Sequence, residues 1–332
     1  MVRPKGLYIL NADSFAKIYG PAEREEIGRL AEVYAPPQMR ESVAADPGLL
    51  RDVEVIFSGW GAPRMDAAFL AAAPNLRAVF YGAGSIRSFV TDAFWARGIR
   101  VTSAYAANAV PVAAYTLAAI LFSLKRGWHY LLTAKREAAW PARTPVPGAY
   151  GSTVGLVSLG MIGRKVCELL RPFDLHVLVH SRHTTAEEAR ALGVELCSLA
   201  ELFRRADVVS LHTPWLPETE GMITGSLIAS MKPNATLINT ARGAVIREGE
   251  MIEVLRQRPD LFAVLDVTYP EPPQPGSPLY TLPNVVLTPH IAGSMDGECR
   301  RMGRTMVEEL RRYLAGEPLQ WEITREAAAR LA

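Results

Sequence analysis

The chain has 332 residues, which at about 150 residues per domain points to two domains. A composition of 49% hydrophobic and 21% charged residues, with 25 Gly and 24 Pro, excludes a disordered, collagen-like or coiled-coil chain. The 36 basic and 34 acidic residues leave a formal charge of +2, and neither sign gathers into a block, so no nucleic acid and no membrane is expected as a partner.

The first residues, Met1 to Gly6, run into Leu7 to Leu10 without the longer apolar stretch and cleavage site of a secretory signal, and a cytoplasmic protein is expected. Short β-rich runs then alternate with helical patterns, which places the chain in the α/β class with parallel sheets. Strands are expected over residues 7–10, 53–57, 78–80 and 100–102. Residues 108–126 read as one long helix, apolar on nearly all sides and therefore buried, that links two domains. Its apolar run, 110–124, is 15 residues long, contains Pro111 and is too short to span a bilayer. A Pro- and Gly-containing loop over 140–151 follows. Six further strands, at 154–158, 177–180, 208–211, 236–239, 263–266 and 285–287, make a doubly wound sheet. Residues 300–314 carry Met302, Met306, Val307, Leu310 and Leu314 at the spacing of an amphipathic helix. Cys167, Cys197 and Cys299 are far apart and odd in number, which argues for reduced thiols and against a disulfide framework or a zinc site.

Residues 154–163 join a β-run to a helix through a glycine turn. A dinucleotide site needs a tight turn, then a residue without Cβ near the pyrophosphate, then a small residue where helix meets sheet. Gly160 and Gly163 fill the last two roles, Met161 and Ile162 lie between them, and Ser158 replaces the first glycine. The alternative is a strand-helix turn that holds nothing. Near the end of the second strand of this domain stands His180-Ser181-Arg182-His183, with no carboxylate for ribose hydroxyls. Ser181 and Arg182 suit a 2′-phosphate instead, so NADP is favoured over NAD, which remains possible. The alternative is a solvated strand end. His180 and His183 would face opposite ways on an extended segment and make a poor metal pair.

Several segments in a fixed order carry a family resemblance: Gly82-Ala83-Gly84-Ser85, residues 108–113, the nucleotide turn, Leu211-His212-Thr213-Pro214, Asn239-Thr240-Ala241-Arg242-Gly243, residues 266–272 and residues 288–293. Together the chain resembles the D-isomer-specific 2-hydroxyacid dehydrogenases of the phosphoglycerate, glyoxylate and hydroxypyruvate reductase group. The resemblance implies a Rossmann cofactor domain, residues 106–295, inserted into a smaller flavodoxin-like α/β substrate domain made of 1–105 and 296–332. It implies an active site in the cleft between them, closed about two hinges, and a homodimer formed through the cofactor domain around Trp128 to Tyr150. Its substrates would be small 2-keto and 2-hydroxy acids.

Arg242, Glu271 and His290 are the catalytic set that the resemblance implies, and the chemistry agrees. Reduction of a 2-keto acid needs a fixed cation to orient the carboxylate and polarise the carbonyl, and a proton donor for the alkoxide. Arg242 and His290 suit these roles, and Glu271 would hold the imidazole and balance its positive charge. Asp266 resembles the family's residue near the carboxamide of the cofactor, though it would equally cap a loop. His212 and Pro214 border the cofactor phosphates or are purely structural, and Thr240 and Ala241 complete the cofactor side. Gly82, Ala83 and Gly84, next to Tyr81, resemble the loop whose backbone N–H groups meet the substrate carboxylate; an ordinary turn is the alternative. Trp60, Tyr81, Tyr269 and Met295 are candidates for the side-chain pocket. Ala114 stands where the family usually carries a Glu. Two rival readings remain: a dinucleotide-responsive, corepressor-like binding protein, and a formate-type dehydrogenase, against which Glu271 argues.

Overall fold

The computed structural model describes residues 3–330; residues 1, 2, 331 and 332, which the sequence reading assigns to the substrate domain, lie outside the described residues. The chain divides into two compact units, residues 3–108 with 294–330 and residues 109–293.

In the first unit, β1 (Lys5–Ile9), β2 (Glu32–Val33), β3 (Val55–Ser58), β4 (Ala78–Tyr81) and β5 (Arg100–Ser103) form a parallel sheet in the order β2-β1-β3-β4-β5. That is the flavodoxin-like order. Every residue of β3 and β4 is buried, as expected of parallel strands covered on both faces. One face packs Leu7, Ile9, Ile56 and Val79 against the neighbouring helices. The other packs Tyr8, Phe57 and Phe80 against Met302, Met306, Val307 and Leu310 of the helix Cys299–Ala315. Gly303 lets the same helix approach the end of the helix Ala12–Ile18, because a Cβ there would lie 2.0 Å from the Ile18 carbonyl oxygen. Beyond the helix the chain returns along β5: Ser103 N donates to Trp321 O at 3.1 Å and Ile323 N to Val101 O at 2.9 Å. The buried Glu309 carboxylate accepts the amides of Gln320 and Trp321.

The second unit contains β6 (Tyr150–Val157), β7 (Asp174–His180), β8 (Glu195–Leu196), β9 (Val208–Leu211), β10 (Thr236–Asn239), β11 (Phe262–Leu265) and β12 (Val285–Leu287). They pair in parallel in the order β12-β11-β10-β9-β6-β7-β8. This is the doubly wound dinucleotide order extended by one strand, and its direction reverses at β6, between β7 and β9. Loops at the carboxyl ends of strands flanking such a reversal form a natural crevice.

The sheets hold five and seven strands where four and six were expected. Both additions, β2 and β8, are two-residue edge strands that pair with one neighbour each. The long helix runs over Tyr105–Leu124 rather than 108–126: Ser103 Oγ accepts the Tyr105 amide at 3.2 Å near its start, and Arg126 takes a left-handed φ of 52° just beyond its end. Its 20 residues would reach across a membrane by length and composition alone, where the 15-residue run falls short, but more than half of its apolar window is buried inside the protein. Ala113, Ala119, Ile120 and Leu124 pack it into the core of the second unit. It is not buried all round, because Val110 and Phe122 remain exposed. A further helix, Gly127–Glu137, follows where no element was expected. All three cysteines are free, and burial pushes the Cys167 thiol up to about 11.

Candidate active site

The turn after β6 is built as its glycines suggest. Ser158 adopts a left-handed φ of 77°, so it makes the bend usually left to glycine. A Cβ on Gly163 would lie 2.6 Å from the Ser158 carbonyl oxygen, which is why the helix Met161–Leu170 can pack so closely on the strand end. Gly160, its N-cap, is different: a Cβ there would meet no protein atom within 4 Å. Backbone is therefore exposed over the helix N-terminus, with no side chain capping the first-turn amides at Met161 and Ile162. Exposed amides and the positive end of a ten-residue helix suit a pyrophosphate, so these residues fit the dinucleotide.

At the end of β7, Ser181 Oγ accepts from Thr184 Oγ1 at 2.7 Å and from the His183 amide, which curls the strand end into a compact polar turn. Arg182 is exposed and makes no hydrogen bond or ion pair with the described residues. The His180 ring meets the Cys197 carbonyl through Nδ1 at 3.2 Å.

The loops beyond β9 and β10 are largely closed. His212 bonds Ser210 Oγ through Nε2 at 3.1 Å, its Nδ1 has no partner among the described residues, and burial lowers its pKa to about 4. The Pro214 carbonyl accepts Thr219 Oγ1. Thr240 Oγ1 meets Thr116 Oγ1 at 3.2 Å, and Ala241 is buried. Asn239 shapes the turn that follows: its Oδ1 accepts the Ala241 amide and its Nδ2 donates to the Arg242 carbonyl. Arg242, half-buried, donates from Nη1 to the Ala241 carbonyl at 2.6 Å. Gly243 packs this turn against the loop after β11, where a Cβ would lie 2.0 Å from the Thr268 carbonyl carbon.

The loops after β11 and β12 meet directly. His290 Nδ1 and Glu271 Oε1 are 2.6 Å apart, with both side chains nearly half exposed. His290 has a left-handed φ of 54°, an uncommon state for a non-glycine residue. Asp266 holds that turn. Its buried carboxylate accepts the amides of Ile291 and Ala292 at 2.8 and 2.9 Å and Thr288 Oγ1 at 2.6 Å, while its carbonyl accepts the His290 amide. Thr288 in turn meets Tyr115 Oη at 2.8 Å. Of the two readings open for Asp266, the loop cap is the one its contacts make. Arg242, Glu271 and His290 thus stand on consecutive loops at one sheet edge, within the same unit as the nucleotide turn.

In the first unit, the loop after β4 divides its donors. The Gly82 amide is committed to the Ser58 carbonyl at 2.9 Å, so it is not available to a carboxylate. No hydrogen bond among the described residues uses the amides of Ala83 and Gly84, whose carbonyls are held by Ser103 Oγ. Packing gives Tyr81 a core role, buried with its ring centroid 4.6 Å from that of Phe89. Trp60, Tyr269 and Met295 are exposed. Sequence reasoning missed Asn239, Thr288 and Tyr115, which hold the Arg242 and His290 turns from behind. The first two fall within segments that carry the resemblance, and each is a polar residue inside or just beyond a buried strand.

The family model for "D-isomer specific 2-hydroxyacid dehydrogenase, NAD binding domain" matches residues 118–292. The chain is 35% identical over 258 residues to a D-3-phosphoglycerate dehydrogenase of Mycobacterium bovis, covering 77% of this chain and 48% of that protein. It spans about half the length of the phosphoglycerate dehydrogenases it matches. A glyoxylate reductase of Aeropyrum pernix is 31% identical over 272 residues, covering 76% of this chain and 78% of that protein. Among solved structures, a D-isomer specific 2-hydroxyacid dehydrogenase of Xanthobacter autotrophicus Py2, in complex with NADPH and MES, has a TM-score of 0.77 at 25% identity, covering 98% of this chain and 99% of that one.

Proposed function

The chain belongs to the D-isomer specific 2-hydroxyacid dehydrogenase family, and on that premise we propose that it interconverts a small 2-keto acid and the corresponding D-2-hydroxy acid, with NADPH preferred over NADH. The reading is of the glyoxylate and hydroxypyruvate reductase kind. One observation carries it: the 2.6 Å contact between His290 Nδ1 and Glu271 Oε1 on the edge that also bears Arg242.

The nicotinamide, when bound, supplies or takes up the hydride. Gly160 and the first amides of the helix Met161–Leu170 suit its pyrophosphate, and Ser181 with Arg182 suits a ribose 2′-phosphate. Arg242 orients the substrate carboxylate and draws electron density from the carbonyl. With Nδ1 committed to Glu271, Nε2 of His290 is the nitrogen that delivers a proton to the carbonyl oxygen in reduction and removes it in oxidation. Glu271 fixes the ring for both directions. The loop clamped by Asp266 keeps His290 at one place on the edge, so the geometry need not be assembled at each turnover. In the first unit, the Ala83 and Gly84 amides suit a small carboxylate, which assigns that unit to the substrate.

Leu131, Trp140 and Tyr150 are exposed around the helix Gly127–Glu137, Trp140 by 90%, an apolar surface suited to a homodimer. Light scattering of the purified chain at twice the monomer mass is the expected result.

The test of the activity is loss of NADPH absorbance with a panel of glyoxylate, hydroxypyruvate and phenylpyruvate. At least one acid should be reduced stoichiometrically to its D-2-hydroxy product. Cofactor binding without oxidation by any 2-keto acid would overturn the reading.

A further inference from the structure

Two large aromatic side chains stand on the candidate edge partly exposed. Trp215, on the loop after β9, is 37% exposed, and Tyr269, on the loop after β11, is 53% exposed. Their ring centroids are 5.2 Å apart in an edge-on arrangement. In the sheet, β10 lies between β9 and β11, so this contact reaches across the loop that carries Arg242. The intervening backbone is locked to both sides. Gly221 N donates to Ala244 O at 2.9 Å and Ile223 N to Val245 O at 3.0 Å, while Gly243 abuts Thr268.

The pair is also held in place by its polar atoms. Trp215 Nε1 donates to Glu220 Oε2 at 2.9 Å, and the Tyr269 amide donates to Glu248 Oε2 at 3.3 Å. The first bond anchors the Trp215 ring through its edge and leaves a face to something else, and the second fixes the main chain of Tyr269. Tyr269 stands two residues before Glu271, the partner of His290.

We infer that Trp215 and Tyr269 form the apolar wall against which the substrate's side chain lies, so that the preferred 2-keto acid carries an aromatic or branched aliphatic group. The inference rests on the activity proposed above and narrows its substrate. Charge on the same loops points the same way. Besides Arg242 and His290, they contribute Glu218, Glu220 and Glu271, the helix that follows the Arg242 loop starts at Glu248, and Arg247 is turned to the Gly221 carbonyl and Glu250. An anionic side chain finds repulsion there. A side chain as small as that of glyoxylate gains nothing from the wall.

The test measures kcat/KM with NADPH for phenylpyruvate and 4-methyl-2-oxopentanoate, for glyoxylate and hydroxypyruvate, and for 3-phosphohydroxypyruvate. The apolar acids should lead by about ten-fold or more, the scale on which apolar pockets discriminate. Trp215→Ala and Tyr269→Ala should each cut the phenylpyruvate-to-glyoxylate ratio about ten-fold, mainly through KM, and the Phe variants should restore it. Unaltered melting temperatures would show that these exposed residues are not needed for folding. If small or phosphorylated acids lead, or if the ratio survives both Ala variants, the wall is wrong while the dehydrogenase reading stands. If no acid is reduced, both fall.

Discussion

His212, on the loop after β9, and His290, on the loop after β12, share one sheet edge, and their surroundings give them different chemistry. The His212 ring is buried, bonded to Ser210 through Nε2 and held neutral because no charge beside it offsets the cost of desolvation. His290 is exposed, bonded to a carboxylate through Nδ1, and set on a left-handed turn. The carboxylates beside the second histidine divide in the same way. Asp266 is buried and spends its oxygens on two amides and a hydroxyl, whereas Glu271 is half exposed and spends one on the imidazole. The buried member of each pair builds the edge, and the exposed pair, His290 backed by Glu271, is the one we propose for proton transfer to and from the substrate.

The largest expected break of this contrast is His290→Asn, which tolerates the left-handed backbone but transfers no proton. Turnover should fall by about 10²–10⁴-fold. The Kd for NADPH should move less than about three-fold, a change worth under 1 kcal/mol. Equal losses in turnover and cofactor affinity would remove the proton-transfer role. Asp266→Ala should come next, because it strips the Ile291 and Ala292 amides of their acceptor inside the protein. A loss of about 3 kcal/mol in urea denaturation is expected. Glu271→Gln, by comparison, should cost less than about 1 kcal/mol of stability, as exposed pairs do, while slowing turnover. If Glu271→Gln proves the more destabilising, the division of labour between the carboxylates is wrong.

Much of the fold was legible because buried parallel strands announce themselves as short apolar runs. β9, β10 and β12 lie where such runs place them. The edge strands β2 and β8 were hidden, since two residues carry no periodicity and their pairing is a property of neighbouring backbone. The Glu271 and His290 contact joins residues 19 apart, and only the order of the family's motifs pointed to it. Less visible still was the work of Asp266, Asn239 and Thr288. Their hydrogen bonds go to turns whose position depends on the finished sheet, and an Asp at a strand end reads equally as ligand or cap until those turns are in place. Ser158 shows the converse: its left-handed φ makes the bend that its side chain argued against.

His212 offers a sharper version of the comparison through pH. Its folded pKa, about 4, lies below the ordinary value of 6.5 for an unfolded chain. The unfolded state therefore binds the proton first as the solution is acidified. The neutral ring's contribution is complete above about pH 6.5 and is lost progressively as the pH falls toward 4. Between pH 7 and 5 this amounts to about 2 kcal/mol. His212→Gln should lack that component, so the stability gap between wild type and variant should shift by about this amount in favour of the variant at pH 5, read by urea denaturation at both pH values. A gap that does not change with pH would mean that the ring titrates normally, and the contrast with His290 would then rest on exposure alone.

At the far end of the edge two arginines differ in the same way. Arg182 is exposed and has no hydrogen bond or ion pair among the described residues, whereas Arg164, on the neighbouring helix, is paired with Glu188 at 3.1 Å. A guanidinium held by a carboxylate is already neutralised, and one left in water is available to a phosphate dianion. Arg182→Ala should accordingly weaken NADPH about ten-fold relative to NADH, a modest effect because water screens an exposed pair. The same screening supplies a control: in about 0.5 M salt the ratio of the two dissociation constants should shrink toward that of the variant, since the Debye length falls to a few ångströms. Arg164→Ala should leave that ratio closer to wild type than Arg182→Ala does, because its charge is spent on Glu188. A larger change in the ratio from Arg164→Ala would move the phosphate contact from the strand end to the helix.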